Sequence, residues 1–378
     1  MTVTTPTDDL AEIRYTTGIS IIVPTYQEVD NIPHILARLD KLRQDYNLTL
    51  EVIFSDDNSQ DGSAEAVAAS GFDWAKILVR TKDRGLSPAV IEGFEAAQYP
   101  ILVCMDCDLS HPPERIPQMI LGLNSGQQFV IGSRYVPGAS TDDDWGFLRW
   151  LNSIIATMLA RPLTKVKDPM SGFFIMRKAD FDTVKELNPV GYKIALELIV
   201  KCGFQNVGEV PIHFSDRVYG ESKLSFKEQL KYIQHLRRLY LHRFANAMYL
   251  AQFLVVGASG VAVNLIMLSI LLAMGLPDAV CLAGGIGVSV ITNFLLNRRF
   301  TFSYAKDGNI GKQFVGFVGA SAVGACVNFA VSYALRNSIF EGSGSGLYLS
   351  ALCGIAAGMI FNYLGNRYIV FRKTHIRR

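Results

Sequence analysis

Two aspartates, Asp106 and Asp108, stand one residue apart directly after the apolar run Ile101–Met105. The uninterrupted apolar run predicts a strand that is buried on both faces, as in a parallel sheet covered by helices. Open α/β sheets bind ligands at the carboxyl ends of their strands. Paired carboxylates at such an edge can hold a hard divalent cation, while waters and substrate phosphates complete its coordination. The spacing therefore predicts a metal site that holds the diphosphate of a leaving group, with a pair of solvated loop aspartates as the alternative.

Polar side chains also follow the other apolar runs in the first half of the chain. The runs are Gly18–Val23, Leu50–Phe54 and Ile77–Arg80, and they lead into Pro24–Glu28, Ser55–Ser63 and Lys82–Leu86. Helices are expected at Ile32–Leu42 and at Ser87–Ala97, the second capped by Ser87. Strands that alternate with helices predict a mostly parallel, Rossmann-like α/β sheet. The chain has no G-x-G-x-x-G and no P-loop lysine motif, which argues against a nicotinamide enzyme or a P-loop nucleotidase.

The second half of the chain contains four long segments without a charged residue. They lie between Arg243 and Asp278, between Asp278 and Arg298, between Lys312 and Arg336, and between Glu341 and Arg367. Each can supply the roughly 20 apolar residues that a bilayer-spanning helix requires. We place the four spans at Met248–Met274, Ala279–Leu296, Phe314–Leu335 and Leu347–Leu364.

Lysines and arginines are distributed unevenly among the segments that connect these spans. They precede the first span, separate the second from the third and follow the fourth, as Arg237, Arg238, Arg243, Arg298, Arg299, Lys306, Lys312, Arg367, Arg372, Lys373, Arg377 and Arg378. The other two connections carry only Asp278, or Arg336 with Glu341. The positive-inside rule then predicts that both termini face the cytoplasm.

The membrane half repeats itself. Asn293–Phe302 matches Asn362–Phe371, and upstream Val256–Ser259 matches Val318–Ser321. Two helical hairpins of the same orientation fit this pattern, and small residues let such helices pack closely. Two further asparagines, Asn264 and Asn328, would either hydrogen-bond between helices or line a path for a lipid or sugar.

The overall composition excludes some other classes of function. The net charge of +2, with no basic stripe interleaved with aromatics before residue 226, argues against nucleic acid as a partner. Cys104 and Cys107 form a C-x-x-C on the predicted buried strand and its exit, which argues against redox or zinc chemistry there.

Seven motifs between Ile19 and Leu224 resemble, in order, those of the dolichol-phosphate mannose synthases, which are inverting glycosyltransferases of family 2. The motifs read P-T-Y-Q-E, D-D-N-S-Q-D-G-S, K-D-R-G-L-S-P-A, D-C-D-L-S-H-P-P-E, G-S-R-Y, D-P-M-S-G-F and R-V-Y-G-E-S-K-L. The resemblance implies an α/β GT-A catalytic domain with a mostly parallel sheet. The membrane half resembles the GtrA-like domain of some prokaryotic members, an all-α domain of four transmembrane helices.

The resemblance implies four parts of the chain. These are a flexible N-terminal tail (1–17), the GT-A domain (18–225), an amphipathic helix on the membrane surface (226–245) and the GtrA-like domain (246–378). Apolar residues at helical spacing among lysines, arginines and histidines in 226–244 fit a helix that lies on an anionic bilayer.

The resemblance also implies roles for individual residues on the donor side. Pro24, Tyr26, Glu28, Arg84 and Gly85 would line the nucleotide pocket, with Asp56 at the edge of the base and Asp106 beside the diphosphate. Asp106 and Asp108 would hold Mg²⁺ or Mn²⁺. Archaeal members often have glutamine where this chain has Ser110, so the hydroxyl of Ser110 is a third possible metal ligand. His111 would be either a metal neighbour or a loop contact.

The acceptor implied by the resemblance is a lipid phosphate, which needs cations to hold it. The candidates are Arg134, Lys167, Ser171 and Arg217, with Lys223 closing the site. Together with Asp108, we expect Arg134 and Arg217 to be catalytic. Glu197 lies on a predicted amphipathic helix and would either face the sugar or pair with Lys193.

The implied reaction transfers mannose from GDP-mannose to a dolichyl or polyprenyl phosphate, with inversion, at the cytoplasmic face of the membrane. One alternative is a UDP-glucose-dependent polyprenyl-phosphate glucosyltransferase, because a carboxylate at the base edge contacts uracil as well as guanine. A second alternative is a flippase or carrier of lipid-linked sugars, and a third is a binding module without catalysis. An integral, multi-pass protein with a cytoplasmic catalytic domain is expected in the leading case.

Overall fold

The computed structural model describes residues 18–141, 147–184, 186–187, 193–215, 226–340 and 346–372. The chain divides into two compact units, Met1–Arg243 and Phe244–Arg378. We call the first the catalytic unit and the second the membrane unit.

The catalytic unit alternates strands and helices along its first half. The strands are β1 (Ile19–Thr25), β2 (Leu50–Asp56), β3 (Ala75–Val79), β4 (Ile101–Cys104), β5 (Phe129–Ser133), β6 (Ser140–Thr141), β7 (Phe174–Arg177), β8 (Val207–Pro211) and β9 (His213–Phe214). The helices are α1 (Ile32–Asp45), α2 (Ser63–Ala69), α3 (Leu86–Glu95), α4 (Ile116–Asn124), α5 (Phe147–Ala160), α6 (Lys178–Asp182), α7 (Ile194–Lys201) and α8 (Phe226–Arg243). A 3₁₀ turn, Pro113–Arg115, precedes α4.

Seven of these strands form one sheet in the order β3-β2-β1-β4-β7-β5-β8. All neighbours run parallel except β7, which is antiparallel to both β4 and β5. The strands β6 and β9 pair separately as a short parallel ribbon. The predicted mostly parallel α/β sheet is therefore confirmed. The carboxyl ends of β1, β2, β4 and β5 lie along one edge, and the chain enters β7 from that same edge.

Helices cover both faces of the sheet, which explains why its central strands are apolar throughout. On one face α1 buries Ile32, Ile35, Leu36, Leu39 and Leu42 at helical spacing against β1 and β2. On the other face Val90 and Phe94 of α3 and Leu198 of α7 pack on β4 and its neighbours. Burying such side chains supplies about 1.5–3 kcal/mol each.

The helix predicted at Ser87–Ala97, which is α3, begins differently from the expectation. It starts at Leu86 with Gly85 as its N-cap, and Ser87 lies inside the first turn. Gly85 has φ of 141°, a conformation that a side chain with a Cβ rarely adopts. The expected Ser87 cap was therefore wrong, because the loop enters the helix through a backbone geometry that favours glycine.

The helices α5, α7 and α8 form a second layer. Leu196 and Val200 of α7 pack with Leu236 and Leu239 of α8. The hydroxyl of Tyr232 donates to the carbonyl of Ala156 on α5 at 2.6 Å. On α8, Leu230 and Ile233 remain about half exposed. The helix thus has one apolar face on the domain and other apolar side chains at its surface.

Four helices of the membrane unit are long and apolar enough to cross a bilayer. With their end turns included they are Ala245–Ala273, Asp278–Thr301, Ile310–Ser338 and Gly346–Val370. Their α-helical parts are α9 (Ala245–Ala273), α10 (Asp278–Leu296), α11 (Ile310–Ser338) and α12 (Gly346–Gly365). Three of the four predicted spans fall within one of these helices, and the first extends one residue beyond its helix, to Met274. Helix α9 packs on α10 as α11 packs on α12.

Both sequence repeats end in the same unusual backbone turn. A π-helical turn follows α10 at Asn297–Thr301 and another follows α12 at Asn366–Val370. Each closes with a hydrogen bond to the asparagine carbonyl, from Phe302 N at 2.7 Å and from Phe371 N at 2.8 Å. The rings of Phe302 and Phe371 stack with centroids 4.8 Å apart. The two repeats therefore meet through equivalent phenylalanines.

Glycines on the facing helices receive the asparagine side chains. A Cβ on Gly285 would lie 2.3 Å from Asn264 Oδ1, and one on Gly358 would lie 2.8 Å from Asn328 Cβ. The amides of Asn264 and Asn328 thus sit at contacts between helices. Both predicted roles, helix packing and a lipid or sugar path, stay predictions.

Candidate active site

Asp106 and Asp108 follow β4 at the carboxyl edge of the sheet. Asp108 is buried, and its Oδ1 accepts hydrogen bonds from the backbone N–H of Ser110 at 3.1 Å and from the Ser110 hydroxyl at 2.6 Å. Leu109, between them, has a positive φ of 65° that makes this tight turn. The side chain of Asp106 is 29% exposed and reaches the surface of the edge. The hydroxyl predicted to bind metal therefore orients Asp108, and its role as a ligand stays a prediction.

His111 is hydrogen-bonded to the backbone of this loop and packs against Phe173. Its Nδ1 accepts the backbone N–H of Asp106 at 2.9 Å, and its ring stacks on Phe173 with centroids 5.3 Å apart. A Cβ on Gly172 would lie 3.3 Å from both Asp106 Oδ1 and His111 Cε1. Glycine at 172 therefore lets the loop before β7 approach the aspartates closely, and His111 makes the loop contact that was one of its two expected roles.

The donor set fits a divalent cation that is shared with a substrate. Two carboxylates are hard oxygen ligands of the kind that Mg²⁺ and Mn²⁺ prefer. Within the described part of the chain, no group of three or more histidine, cysteine, aspartate or glutamate side chains surrounds a common point. Asp106 and Asp108 would therefore hold the metal together with waters and phosphate oxygens. Burial raises the pKa of Cys104 and Cys107, which disfavours their thiolate forms as ligands.

A charged network holds the loop Lys82–Leu86 on the predicted nucleotide side. Asp57 Oδ2 accepts the backbone N–H of Gly85 at 2.6 Å, and Asp57 Oδ1 contacts the buried Arg80. Arg80 also pairs with Glu92 at 2.7 Å. The guanidinium of Arg84 lies 5.1 Å from the centre of the Tyr26 ring, which is 40% exposed. The structure thus brings Tyr26, Arg84 and Gly85 together as predicted neighbours of the nucleotide.

Asp56 at the end of β2 is buried and accepts hydrogen bonds from Ser59 in the loop that follows β2. Its Oδ2 accepts the backbone N–H of Ser59 at 2.9 Å, and its Oδ1 accepts the Ser59 hydroxyl. The hydroxyl of Ser59 in turn accepts the backbone N–H of Gln27 at 2.8 Å. Through Ser59, Asp56 is therefore connected to Gln27 in the loop that follows β1, while its contact with the base stays a prediction. Pro24 lies beside Ser55 in the register of β1 and β2, and Glu28 accepts a hydrogen bond from Asn31 Nδ2.

Arg134, directly after β5, is locked to a buried aspartate. Its Nε donates to Asp168 Oδ2 and its Nη2 to Asp168 Oδ1, both at 2.8 Å, and its backbone N–H donates to Oδ2 at 3.0 Å. The Asp168 side chain is fully buried, whereas that of Arg134 is 12% exposed. Burial acts to lower the pKa of Arg134, but the hydrogen bond and charge of Asp168 outweigh it and raise the pKa. The guanidinium is therefore a permanent, oriented cation.

This cation and the aspartate loop contact the same aromatic ring. The guanidinium carbon of Arg134 is 5.2 Å from the centre of the Phe214 ring and 5.4 Å from that of Tyr135. The same Phe214 ring makes an edge contact with His111, with centroids 5.6 Å apart. The structure therefore brings the predicted metal loop, through His111, and the predicted phosphate-binding arginine into contact with the same ring.

The other residues predicted to bind the acceptor phosphate lie in different surroundings. Ser171 is buried and its hydroxyl donates to the carbonyl of Gly132 at 2.7 Å, so it ties the loop before β7 to β5. Lys167 is exposed next to Asp168. Arg217 and Lys223 lie outside the described residues. The roles of all four in binding a lipid phosphate stay predictions.

Two residues near Arg134 were not predicted to belong to the site. Asp168 was part of a recognised motif but had no assigned role. Burial lowers the pKa of Lys193 to about 8; Arg134 acts in the same direction, and Asp168 and Asp106 act against it. Lys193 therefore interacts electrostatically with Arg134, Asp168 and Asp106. Glu197, which was considered as its partner, contacts Lys201 Nζ at 2.8 Å.

Comparison with known proteins identifies the family. Residues 20–185 match the family model described as glycosyl transferase family 2, and residues 252–371 match that of the GtrA/DPMS transmembrane domain. The dolichol-phosphate mannosyltransferase of Pyrococcus furiosus is 36% identical over 359 residues, which cover 93% of this chain and 99% of that protein. The chain belongs to glycosyltransferase family 2. This family 2 glycosyltransferase also carries a GtrA/DPMS transmembrane domain, so the expected resemblance is confirmed for both units.

Other relatives match this glycosyltransferase over its catalytic unit or part of its length. Dolichol-phosphate mannosyltransferases of Mycosarcoma maydis and Saccharomyces cerevisiae are each 44% identical, over 61% and 60% of this chain and 82% and 88% of their own. A solved mannosyl-3-phosphoglycerate synthase from Rubrobacter xylanophilus has 17% identity and a TM-score of 0.49, and covers 62% of this chain and 78% of that one.

Proposed function

We propose that this glycosyltransferase transfers mannose from GDP-mannose to a dolichyl or polyprenyl phosphate, with inversion at the anomeric carbon. The observation that carries the proposal is the pairing of two sites at one sheet edge. The loop of the carboxylate pair suited to a metal–diphosphate contacts Phe214 through His111, and the oriented guanidinium of Arg134 contacts the same ring. The match to a protein named dolichol-phosphate mannosyltransferase along its whole length supports the choice of sugar and acceptor.

The leaving group requires neutralisation of a diphosphate. Asp106 and Asp108 would hold Mg²⁺ or Mn²⁺ there, and a bound cation would supply Lewis-acid stabilisation of the developing negative charge. The chain contributes the fixed orientation of the Asp108 carboxylate, through the hydroxyl of Ser110, and of the Asp106 backbone, through His111. Arg84 beside Tyr26 would contact the nucleotide.

The acceptor requires placement rather than deprotonation. The second pKa of a phosphate monoester is about 6, so an acceptor oxygen is already anionic at neutral pH. That oxygen would bond to the anomeric carbon while the bond from this carbon to the diphosphate oxygen breaks on the opposite face, which inverts the configuration. In-line placement is then the main contribution of the protein. We assign it to Arg134, with Lys167, Ser171, Arg217 and Lys223 as further contacts.

We also propose that the catalytic unit and both termini face the cytoplasm. Lysines and arginines lie within α8, between the second and third predicted spans and after the fourth, which favours this orientation. A cysteine introduced at Asp307, between the second and third spans, should react with a membrane-impermeant maleimide in inside-out vesicles. The unsubstituted protein, which has cysteines of its own, is the control for background labelling. Labelling above this background in right-side-out vesicles, but not in inside-out vesicles, would show the opposite orientation.

The test of the reaction is sugar transfer by the purified full-length protein in detergent with Mn²⁺. Radiolabelled GDP-mannose and UDP-glucose are offered separately, each with short and long dolichyl and polyprenyl phosphates. Labelled lipid from GDP-mannose that disappears with EDTA and returns with Mn²⁺ is the expected result. Label from UDP-glucose alone would replace mannose by glucose in the proposal. No labelled lipid from either donor, with nucleotide still bound, would overturn it in favour of a carrier or a binding module.

A further inference from the structure

We propose that Asp168 and Glu209 are positioning residues, which together aim the guanidinium of Arg134 at the acceptor phosphate. The inference rests on the proposed function, because the acceptor assigned to Arg134 is the one proposed above. Neither carboxylate needs to touch the substrate. Their effect would be exerted through the orientation of one arginine.

Asp168 fixes Arg134 at three points. Both carboxylate oxygens accept guanidinium N–H groups at 2.8 Å, and Oδ2 also accepts the Arg134 backbone N–H at 3.0 Å. A bidentate contact sets the plane of the guanidinium, and the backbone contact ties that plane to the end of β5. A fully buried aspartate has no competing water at these positions. The arginine is therefore oriented before any substrate arrives.

The contact with Asp168 involves one end of the guanidinium of Arg134. A guanidinium has five N–H donors, and the contact with Asp168 uses one on Nε and one on Nη2. The Nη1 group and the second hydrogen of Nη2 point away from Asp168. Two parallel N–H groups at that end match the spacing of phosphate oxygens, which a lysine ammonium cannot reproduce.

Glu209 in turn fixes Asp168. Its Oε1 accepts the backbone N–H of Asp168 at 3.1 Å, and its Oε2 accepts that of Lys167 at 2.9 Å. Glu209 lies on β8, which pairs in parallel with β5, the strand that ends beside Arg134. Glu209 on β8 therefore holds the backbone N–H groups of Lys167 and Asp168, and Asp168 holds Arg134 at the end of β5. A glutamine at 209 would offer one acceptor and one N–H₂ group, so it would lose one of the two contacts.

The decisive experiment compares Asp168→Asn and Glu209→Gln with the unsubstituted protein by steady-state transfer, with GDP-mannose and dolichyl phosphate varied separately. We expect kcat/KM for the acceptor to fall about 100-fold in Asp168→Asn, since a displacement of about 1 Å has that effect. A fall of about tenfold is expected in Glu209→Gln. The KM for GDP-mannose should change less than about twofold. An equal change in both KM values would overturn the inference.

Two further variants separate positioning from folding. Glu51→Gln is a matched control, because Glu51 is also a buried carboxylate, accepting from Ser20 Oγ at 2.6 Å and Gln98 N at 2.7 Å, at the opposite end of the strands. It should lower thermal stability and leave the acceptor KM unchanged. Arg134→Lys and Asp168→Asn should be non-additive when combined, and additive losses would contradict the inference.

A readout without substrate distinguishes failure of this inference from failure of the proposed function. Phenylglyoxal modification of Arg134, followed by peptide mass spectrometry, should be several times faster in Asp168→Asn than in the unsubstituted protein. Unchanged reactivity would overturn the positioning contact. Faster modification in a protein that transfers no sugar to any polyprenyl phosphate would overturn the proposed function and the acceptor, but not the positioning of Arg134.

Discussion

Buried polar side chains differ between the two units of this chain. In the catalytic unit several of them carry charge and pair with another charged side chain, as Arg134 does with Asp168 and Arg80 with Asp57. In the membrane unit they are neutral amides and hydroxyls. Asn297 and Asn366 donate from Nδ2 to the carbonyl four residues earlier in their own helices, at 3.0 and 2.8 Å. The oxygens Oδ1 of both have no hydrogen-bond partner among the described residues.

The difference indicates which of the two units holds charged side chains in fixed orientations. A buried ion pair costs desolvation, and it is retained where orientation of a charge is useful. A coupled transporter would usually place ionisable residues at mid-depth in its spans. The long apolar stretches of the membrane unit, such as that between Arg243 and Asp278, contain none. The comparison favours chemistry in the catalytic unit and helix packing in the membrane unit, and four predictions test it.

The largest effect is expected for Asp108→Asn. Removing this charge should lower the transfer rate about 1,000-fold, because a metal contributes several kcal/mol to such a leaving group and each 1.36 kcal/mol is tenfold. Thermal stability should change little. Transfer at several Mn²⁺ concentrations measures the effect, and Asp45→Asn, at the exposed end of α1, is the control. Full activity in Asp108→Asn would remove the metal from the proposed mechanism.

The second effect concerns packing in the membrane unit. Gly358→Leu should destabilise that unit by about 1–3 kcal/mol or more, because a Cβ at 358 would lie 2.4 Å from the carbonyl oxygen of Gly324. Gly319→Leu is the matched control, since no atom lies within 4 Å of the position of its Cβ. Thermal unfolding in detergent and GDP-mannose binding are measured together. The comparison predicts that Gly358→Leu destabilises the membrane unit while the protein still binds GDP-mannose.

The third effect is a dependence on pH. Because the pKa of Lys193 is about 8 in the folded protein, its charge is lost as the pH rises through 8. If that charge assists the acceptor phosphate, kcat/KM for the acceptor should fall up to about tenfold between pH 7 and 9.5. Lys193→Arg should abolish this fall. A fall that persists in Lys193→Arg would assign it to another group.

The stability of the protein should change in the opposite direction over this range. A lysine whose pKa is lower in the folded than in the unfolded state, about 10.4, binds fewer protons when folded between these two values. The contribution of Lys193 to stability therefore increases as the pH rises from about 8 to 10.4. Falling activity with no loss of thermal stability in this window would thus exclude alkaline unfolding as the cause.

The smallest effect is expected for Asn366→Leu, with Asn297→Leu as its counterpart in the other repeat. Each substitution removes the Nδ2 hydrogen bond to the carbonyl four residues earlier, but also a buried amide oxygen that lacks a partner among the described residues. These effects oppose each other, so stability should change by less than about 1 kcal/mol. Transfer should change less than about twofold. Loss of transfer or of lipid movement in liposomes, at unchanged stability, would show that the amides line a path, and would contradict the division of roles between the units.

Much of the fold could be predicted from the sequence because it depends on local patterns. Apolar runs ending in polar loops predicted the parallel sheet and its functional edge, and uncharged segments predicted the four spans. Asp106, Asp108 and Arg134 were found because their residue types and motifs suggest their chemistry. The pairing of Arg134 with Asp168 could not be predicted, since 34 residues separate them and the contact depends on the strand β7 between β4 and β5.

The sequence by itself determined two units, the order of strands and helices, and the residues able to hold a metal and a phosphate. Periodicity, charge gaps and side-chain chemistry are local properties, so they are readable without coordinates. Only the tertiary structure decided that Gly85 rather than Ser87 caps its helix, that Ser110 orients Asp108, and that Glu209 supports Asp168. Each of these depends on backbone geometry or on hydrogen bonds between distant segments, whose partners are selected by the packing of the whole sheet.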